Sequence, residues 1–307
     1  MKRFLIEILL ELMISFIALS LIYITCNAYI DPYYNKFITG EQASMILGTS
    51  RANIGIRPDV INSRLKGVNI YNYAFNGHQS RWGLTYYNSI DNKLDKRSSD
   101  GLFILAVDPT SINSVFDENG NESFVREKLL KEVTDVSAPI INYQYIFNEI
   151  NNPIYHIFTS KVHSDGFLEL YAPYDSIGSE NNKKTMIATF NNSQAKEKIS
   201  PHRLEYLNKT IDLLKKHGNV YMVRLPTADY IRELEDSAFP EFDDRMETIA
   251  ERHGISYINC KGNSDIYKYT IDGNHFVTED SYSFTNDLCD SIMKIRESVN
   301  TIKADIV

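Results

Sequence analysis

The sequence predicts an α/β fold with a mainly parallel five-stranded sheet. Short apolar runs that are typical of buried strands alternate with segments whose apolar residues recur at helical spacing. The continuous apolar run at residues 102–107 is typical of a strand that is buried on both faces, as strands of parallel sheets are. The chain has 307 residues, of which 43% are hydrophobic and 23% charged, so it can bury one sizeable core.

Residues 1–30 are predicted to be a membrane anchor. The chain begins with Met1-Lys2-Arg3, and residues 12–30 form an uncharged, mostly apolar run of about 19 residues, which is long enough to cross a bilayer as a helix. Positive charge at the start predicts a single-pass protein with a cytoplasmic N-terminus and an extracytoplasmic body. A cleaved signal peptide is the competing interpretation, but the small residues of a cleavage site are missing. Residues 31–42 are then a linker, and the soluble body is predicted at residues 43–307.

A strand at residues 43–47 is predicted to end at Gly48, which allows a tight turn, and Ser50 follows just past the strand. In open α/β sheets, ligands collect at the carboxyl ends of the strands. A serine here is therefore where a nucleophile would be presented, although Gly-Thr-Ser is also ordinary turn composition.

Asp272 and His275 form an Asp-x-x-His sequence in a loop that contains a glycine. Residues 279–295 follow it with Leu288, Ile292 and Ile295 at helical spacing, which predicts a last helix. A serine after the first strand and an Asp and His before the last helix could meet at one edge of the sheet. That arrangement is the one a serine esterase needs.

The remaining elements alternate as an α/β fold requires. The predictions are a short helix with Pro58 in its first turn, a strand at 68–73, a helix at 80–96, the strand at 102–107, a helix beginning at Ser200-Pro201, a strand at 219–225, a helix at 242–253 and a strand at 255–259. Arg224 ends a strand on the same edge as Ser50, where it could contact an anionic substrate or form a structural ion pair.

Residues 110–199 show little periodicity and are rich in Asn, Ser and Tyr. Because structureless loops of that length are uncommon in compact domains, we predict an insertion with short helices near residues 124–133 and 140–150. It would lie over the site as a lid or substrate platform. His156 and His163 are interpreted as surface residues.

Composition excludes several classes. The net charge of -8 argues against a nucleic-acid partner. The cysteines Cys26, Cys260 and Cys289 are too few and too scattered for a disulfide framework or a zinc site. Cys260 and Cys289 could pair in an oxidising compartment, but two buried free thiols are the favoured interpretation. Neither a metal nor a cofactor is predicted.

Three blocks of the sequence resemble the SGNH or GDSL-like hydrolases: Leu47-Gly48-Thr49-Ser50, the pair Asn76-Gly77, and Asp272-x-x-His275 ahead of a terminal helix. The Gly-Thr-Ser variant behind a membrane segment is most similar to the membrane-anchored branch that serves cell-envelope polysaccharides, which includes proteins of alginate O-acetylation and teichoic-acid D-alanylation. The resemblance covers about residues 43–110 and 200–295.

The resemblance implies a three-layer, flavodoxin-like fold in which Ser50, His275 and Asp272 are catalytic. It implies that the backbone N–H of Gly77 joins that of Ser50 in an oxyanion hole. In the family a third block ends in an asparagine that completes this hole, whereas Asp108 stands there in this chain and, when ionised, only accepts hydrogen bonds. Asn76 or Asn113 is then a candidate substitute, or Asp108 serves a different substrate.

The expected activity is that of an esterase or O-acyltransferase acting on acyl esters, above all acetyl esters, of envelope polysaccharide through an acyl-Ser50 intermediate. Transfer would also require an acyl donor outside the cell, and hence a multispanning membrane partner. The alternative is a non-catalytic SGNH-like glycan-binding or assembly protein, which the loss of the third donor favours. An α/β-hydrolase would require Gly-x-Ser-x-Gly, of which Gly48-Thr49-Ser50-Arg51-Ala52 has only the first glycine.

Overall fold

The computed structural model describes residues 2–30, 33–77, 79–123, 160–171, 179–263 and 270–305. The strands in this part of the chain are β1 Met45–Leu47, β2 Tyr71–Asn72, β3 Gly101–Ala106, β4 Asn113–Ser114, β5 Ser160–Val162, β6 Leu168–Leu170, β7 Lys198–Ile199, β8 Gly218–Arg224 and β9 Ser256–Asn259. Five of them form one sheet in the order β2-β1-β3-β8-β9, and every pairing in it is parallel. The predicted α/β fold with a parallel five-stranded sheet is confirmed.

The helices in the described ranges are α1 Lys2–Ile30, α2 Tyr34–Ile38, α3 Ser50–Gly55, α4 Pro58–Arg64, α5 Leu84–Lys93, α6 Pro109–Ile112, α7 Glu180–Asn192, α8 Pro201–Leu214, α9 Asp229–Ala238, α10 Phe242–His253 and α11 Thr278–Asp305. The same ranges also contain two short 3₁₀ turns, Gln194–Lys196 and Lys261–Asn263. Helices α2, α3, α6, α7 and α9 were not among the elements that the sequence predicts.

The sheet lies between two layers of helices. Successive residues of each strand point to opposite faces of the sheet, so each face packs against its own layer. Met45 and Leu47 of β1 belong to a core that also contains side chains of α5, α8 and α10. Ile46 belongs to a second core with side chains of α3, α4 and α11. All six residues of β3 are buried, as expected for a central strand.

Local signals in the sequence explain several helix boundaries. Ser200 caps α8, since its Oγ accepts a hydrogen bond of 3.0 Å from the backbone N–H of Arg203, and Pro201 occupies the first turn. Helix α10 has the predicted bounds and ends at Gly254, whose φ of +61° is the left-handed conformation that glycine adopts readily.

The strands β1 and β2 are shorter than the sequence predicts. Past β2 the chain nevertheless continues beside β1, because the N–H of Tyr73 donates to Ile46 O at 2.8 Å and the N–H of Phe75 donates to Gly48 O at 3.3 Å. The residues that follow Phe75 therefore emerge at the same edge of the sheet as the residues that follow Gly48.

The predicted helices at 124–133 and 140–150 lie outside the described residues, as does His156. The described part of the insertion contains the antiparallel hairpin β5–β6 and helix α7. The hairpin turn covers the edge of the sheet, since the N–H of Asn72 in β2 donates to Asp165 O at 2.9 Å. His163 is half-buried and bonds Glu169 at 2.9 Å.

Helix α1 is long and apolar enough to cross a bilayer over Lys2–Leu21, with a mean hydropathy of 2.3, a property that signal sequences share. Residues 31–42, interpreted from the sequence as a linker, contribute helix α2 to the folded body. Lys36 is 0% exposed and Phe37 1% exposed. Phe37 stacks on Phe75 with ring centroids 5.0 Å apart, so the body begins before Ala43.

Candidate active site

The turn between β1 and α3 presents Ser50 at the carboxyl edge of the sheet. Gly48 has a φ of +137°, and a Cβ there would lie 2.9 Å from both the Cβ and the carbonyl oxygen of Ala106. Only glycine avoids that contact, so the turn is tight and lies against β3. Ser50 is the first residue of α3 and is half-buried.

A closed loop between residues 270 and 276 carries Asp272 and His275. Thr270 and Phe276 form an antiparallel bridge, and the N–H of Ile271 donates to His275 O at 2.8 Å. Gly273 has a φ of +93°, and its N–H donates to Thr270 Oγ1 at 2.9 Å. The loop is therefore held by hydrogen bonds among its own residues, in addition to the contacts made from outside it.

Ser50, His275 and Asp272 form one chain of hydrogen bonds. The Oγ of Ser50 lies 2.8 Å from His275 Nε2, and His275 Nδ1 lies 2.8 Å from Asp272 Oδ2. The other oxygen of Asp272 accepts the N–H groups of Asn274 at 3.0 Å and His275 at 3.1 Å. The structure thus brings these three residues together although Ser50 and His275 are 225 positions apart in the sequence.

The charge on Asp272 decides which nitrogen of His275 carries the proton. Burial on its own raises the pKa of Asp272, but the adjacent imidazole and the two backbone donors outweigh it and lower the pKa to about 2. An ionised carboxylate only accepts hydrogen bonds, so Nδ1 of His275 must donate to it. Nε2 then carries the lone pair and can accept the proton of the Ser50 hydroxyl.

Asn76 and Gly77 lie in the turn that follows Phe75. The side-chain oxygen of Asn76 accepts a hydrogen bond of 3.1 Å from the N–H of Gln79, and Gly77 O accepts one of 3.0 Å from Arg81 Nε. Arg81 is itself held by Glu197, in an ion pair whose two side chains are 4% and 1% exposed. The turn that carries Gly77 is thus fixed at the same edge of the sheet as Ser50.

Asp108 has a structural role. One of its side-chain oxygens accepts the N–H of Ser111 at 2.9 Å and so caps α6, and the other accepts the hydroxyl of Thr49 at 2.8 Å. The residue is 2% exposed. Asp108 therefore joins the end of β3 to the turn that presents Ser50, and neither oxygen can donate to an oxyanion.

Asn113, the other candidate substitute, is 1% exposed in β4. Its backbone carbonyl accepts from Arg81 Nη1 at 2.7 Å, and its Oδ1 has no hydrogen-bond partner. Arg81 therefore connects Asn113 to the turn that carries Gly77.

Arg224 lies in a cluster of carboxylates and is 2% exposed. Its guanidinium contacts Glu235 at 3.3 Å, Asp236 at 3.6 Å and Asp243. Burial disfavours the charge on Arg224, but the carboxylates of Glu235 and Asp243 outweigh that effect and raise its pKa. The geometry is that of the structural ion pair, which was one of the two interpretations of this residue.

Two residues that the sequence did not single out connect the elements of the site. Arg51 is 7% exposed, and its Nη2 lies 2.5 Å from Glu235 Oε1 and 2.6 Å from Asn274 Oδ1. The Arg51–Glu235 pair spans 184 positions of sequence, so no local pattern could have indicated it. Helix α9, which carries Glu235, has a signal in the helical spacing of Ile231, Leu234 and Ala238 that could have found it.

The loop around Asp272 is also supported from outside. Tyr230, at the start of α9, donates its hydroxyl to Asp272 O at 2.8 Å. Asn182 of α7 donates its side-chain N–H to Ile271 O at 3.1 Å. The insertion therefore reaches the loop that carries His275.

Among the described residues, no group of three or more His, Cys, Asp and Glu side chains is placed to hold a metal ion. Cys260 and Cys289 are free thiols, and burial raises the pKa of each to about 11. A thiol with that pKa is a poor nucleophile at neutral pH.

Comparison with known proteins finds no family model that matches this chain and no curated protein that matches it. Any functional assignment therefore depends on the chemistry of the site itself.

Proposed function

We propose that the protein is a membrane-anchored, extracytoplasmic serine esterase or O-acyltransferase of the SGNH type. Its substrates are acyl esters, above all acetyl esters, of a cell-envelope or exported polysaccharide. The observation that carries the proposal is the hydrogen-bonded chain Ser50–His275–Asp272 at the carboxyl edge of a parallel sheet. Each residue has ordinary roles elsewhere in proteins, but the three together have the contacts of a nucleophile, a base and an orienting carboxylate.

The reaction proceeds through two acyl transfers. His275 Nε2 takes the proton of Ser50 as its oxygen attacks the ester carbonyl, and Asp272 stabilises the imidazolium that forms. His275 then gives that proton to the departing alcohol, which leaves an acyl ester on Ser50. A second nucleophile, activated by the same imidazole, cleaves this ester and regenerates the serine. Water makes the protein an esterase, and a sugar hydroxyl makes it a transferase.

The tetrahedral oxyanion would be stabilised by the backbone N–H groups of Ser50 and Gly77. Gly77 is suited to this because its turn follows the segment bonded to Gly48 and is held by Arg81. Asp108 contributes no donor, so the proposed hole has two identified donors. One donor of this kind is worth roughly 3 kcal/mol of barrier, so we expect a slower enzyme than one with three.

The order of the sheet supports the SGNH assignment. Numbered by sequence within the sheet, the strand order β2-β1-β3-β8-β9 becomes 2-1-3-4-5, which is the order of flavodoxin-like folds. Such folds bind ligands outside the carboxyl ends of their strands, which is where Ser50 lies.

The membrane segment and the insertion support a polymeric substrate outside the cell. Helix α1 begins with Lys2 and Arg3, which favours a cytoplasmic N-terminus and an external body. Helix α7 places part of the insertion against the loop of His275, where it can contribute to substrate selection. A transferase would take its acyl group from a multispanning membrane partner.

The proposal is tested with the full chain in detergent, using p-nitrophenyl acetate and acetylated xylan as substrates. We expect acetate release by the wild type and its loss in Ser50→Ala and His275→Ala, with the folding of both variants verified by circular dichroism. Acetylation of an added oligosaccharide, measured by mass spectrometry, identifies a transferase. Wild-type release no faster than that of the two variants, together with no transfer, would contradict the proposal.

A non-catalytic glycan-binding protein is the second candidate, and the engagement of Asp108 by Thr49 and Ser111 is the observation that favours it. It predicts that Ser50→Ala binds envelope polysaccharide as tightly as the wild type, with no acetate released by either. Calorimetric titration with the polysaccharide distinguishes the two functions.

A further inference from the structure

Two lysine side chains, Lys36 and Lys93, are buried in the body of the protein. Lys36 of α2 is 0% exposed and Lys93 of α5 is 2% exposed. Burial lowers the pKa of both ammonium groups, that of Lys93 to about 8 and that of Lys36 well below its ordinary value, although the charge of Asp165 opposes the shift at Lys36. Lysine is rarely buried in this way unless its amino group is fully hydrogen-bonded, so each one requires a structural reason.

The amino group of Lys36 connects two parts of the candidate site. Its Nζ lies 2.6 Å from Asn53 Oδ1 and 2.7 Å from the carbonyl oxygen of Ala74. Asn53 lies one helical turn after Ser50, and its N–H donates to Thr49 O at 3.1 Å. Ala74 lies in the segment that runs beside β1 and leads to Gly77.

The contacts of Lys36 require a hydrogen-bond donor. Asn53 Oδ1 and Ala74 O are both acceptors, so an apolar side chain at position 36 would leave both buried and unpaired. The amino group of Lys36 also lies over two aromatic rings, 5.9 Å from the ring centroid of Tyr33 and 5.3 Å from that of Phe75. An amine keeps at least two N–H groups whether or not it is protonated, so the connection does not depend on its charge.

We propose that Lys36 is a positioning residue that fixes the distance between the helix that carries Ser50 and the turn that carries Gly77. This inference rests on the proposed function, in which Ser50 and Gly77 together stabilise the oxyanion. Because α1 ends at Ile30 and α2 begins at Tyr34, the segment next to the membrane helix is part of the scaffold of the active site. Loss of the two hydrogen bonds that Lys36 makes to Asn53 and Ala74 would change the geometry of the reacting groups.

Lys93 provides a matched control. Its Nζ donates to Phe37 O at 2.8 Å and to Thr39 O, so it holds the same segment without contacting Asn53 or Ala74. Lys36→Met and Lys93→Met each remove one buried amino group and keep most of the side-chain volume. Both variants are therefore expected to lower the melting temperature.

The two variants differ in their effect on catalysis. In the full chain, we expect Lys36→Met to lower kcat on p-nitrophenyl acetate by about 100-fold with KM nearly unchanged, since small displacements of reacting groups have effects of that size. We expect Lys93→Met to keep the wild-type kcat. Amide hydrogen exchange should accelerate at residues 50–53 and 73–77 in Lys36→Met, and at residues 34–42 alone in Lys93→Met.

Equal losses of kcat in the two variants, or the same exchange pattern in both, would overturn the role of Lys36. If the wild type shows neither acetate release nor acetyl transfer, the proposed function fails, and the exchange pattern alone decides whether Lys36 holds the two segments together.

Discussion

Arg51 Nη2 lies 2.6 Å from Asn274 Oδ1, so the residue directly after the candidate nucleophile binds the loop that carries its candidate base. The same guanidinium pairs with Glu235, which is 1% exposed and also contacts Arg224. Burial disfavours the charge of Arg51, but the carboxylates of Glu235 and Asp108 outweigh that effect and raise its pKa. The distance between Ser50 and His275 is thus maintained by the contact between Arg51 and Asn274 as well as by the hydrogen bond between Ser50 and His275.

Asn274→Ala tests this connection. The substitution removes the contact between Arg51 and the loop but leaves the Arg51–Glu235 pair in place. We expect kcat on p-nitrophenyl acetate to fall about tenfold, which corresponds to roughly 1.4 kcal/mol of barrier, while the melting temperature changes little.

Asn286→Ala is the matched control. Asn286 lies on α11, and its Oδ1 also accepts a hydrogen bond from an arginine, Arg64 Nη1, at 2.9 Å. It should leave kcat unchanged. A wild-type kcat in Asn274→Ala would show that the loop holds His275 in place without Arg51.

Asp108→Asn tests the assignment of Asp108 as a structural cap. The amide oxygen of asparagine can accept the N–H of Ser111, and its NH₂ can donate to the hydroxyl of Thr49. Since both hydrogen bonds are kept, we expect turnover to change by less than about threefold. Asp108→Ala, which loses both, should instead destabilise the fold by about 1 kcal/mol or more in urea denaturation.

A tenfold or greater rise in turnover for Asp108→Asn would contradict this assignment. It would mean that an amide at position 108 reaches the oxyanion, as the asparagine of the resembled family does.

The five strands of the parallel sheet and six of the eleven described helices were predictable because their signals are local. The apolar run of β3, the Ser200-Pro201 start of α8 and the bounds of α10 each depend on a few neighbouring residues. Ser50, Asp272 and His275 could be found because a turn after a strand and a loop before a helix are recognisable in sequence, and parallel strands bring their carboxyl ends to one edge.

The contacts that support the site were not predictable because they depend on distant partners. Lys36 was assigned to a linker, since a charged residue beside a membrane segment gives no sign that it will be buried against Asn53 and Ala74. Arg51 and Glu235 are separated by 184 positions, and only the folded sheet brings them together. The role of Asp108 likewise depends on Thr49, which is 59 positions away.

The stability of the fold is expected to depend on pH through Asp272. Its pKa is lowered from 3.8 to about 2 in the folded state, so its ionised form stabilises the fold at pH values above about 4, and this contribution is lost as the pH falls towards 2. Between about pH 5 and pH 2, the difference in free energy of unfolding between wild type and Asp272→Asn should shrink by about 2 kcal/mol. Urea denaturation at a series of pH values measures this difference in free energy of unfolding. A difference that does not change with pH would contradict the ionised state assigned to Asp272.

In the proposed mechanism, Ser50 becomes acylated with His275 as the base. The most direct measurement is to mix the full chain with p-nitrophenyl acetate, quench with acid and locate the added acetyl group by peptide mass spectrometry. We predict one acetyl group on the peptide that contains Ser50 in the wild type, and none on that peptide in His275→Ala or Ser50→Ala. An unmodified Ser50 in the wild type, or equal modification in His275→Ala, would contradict it.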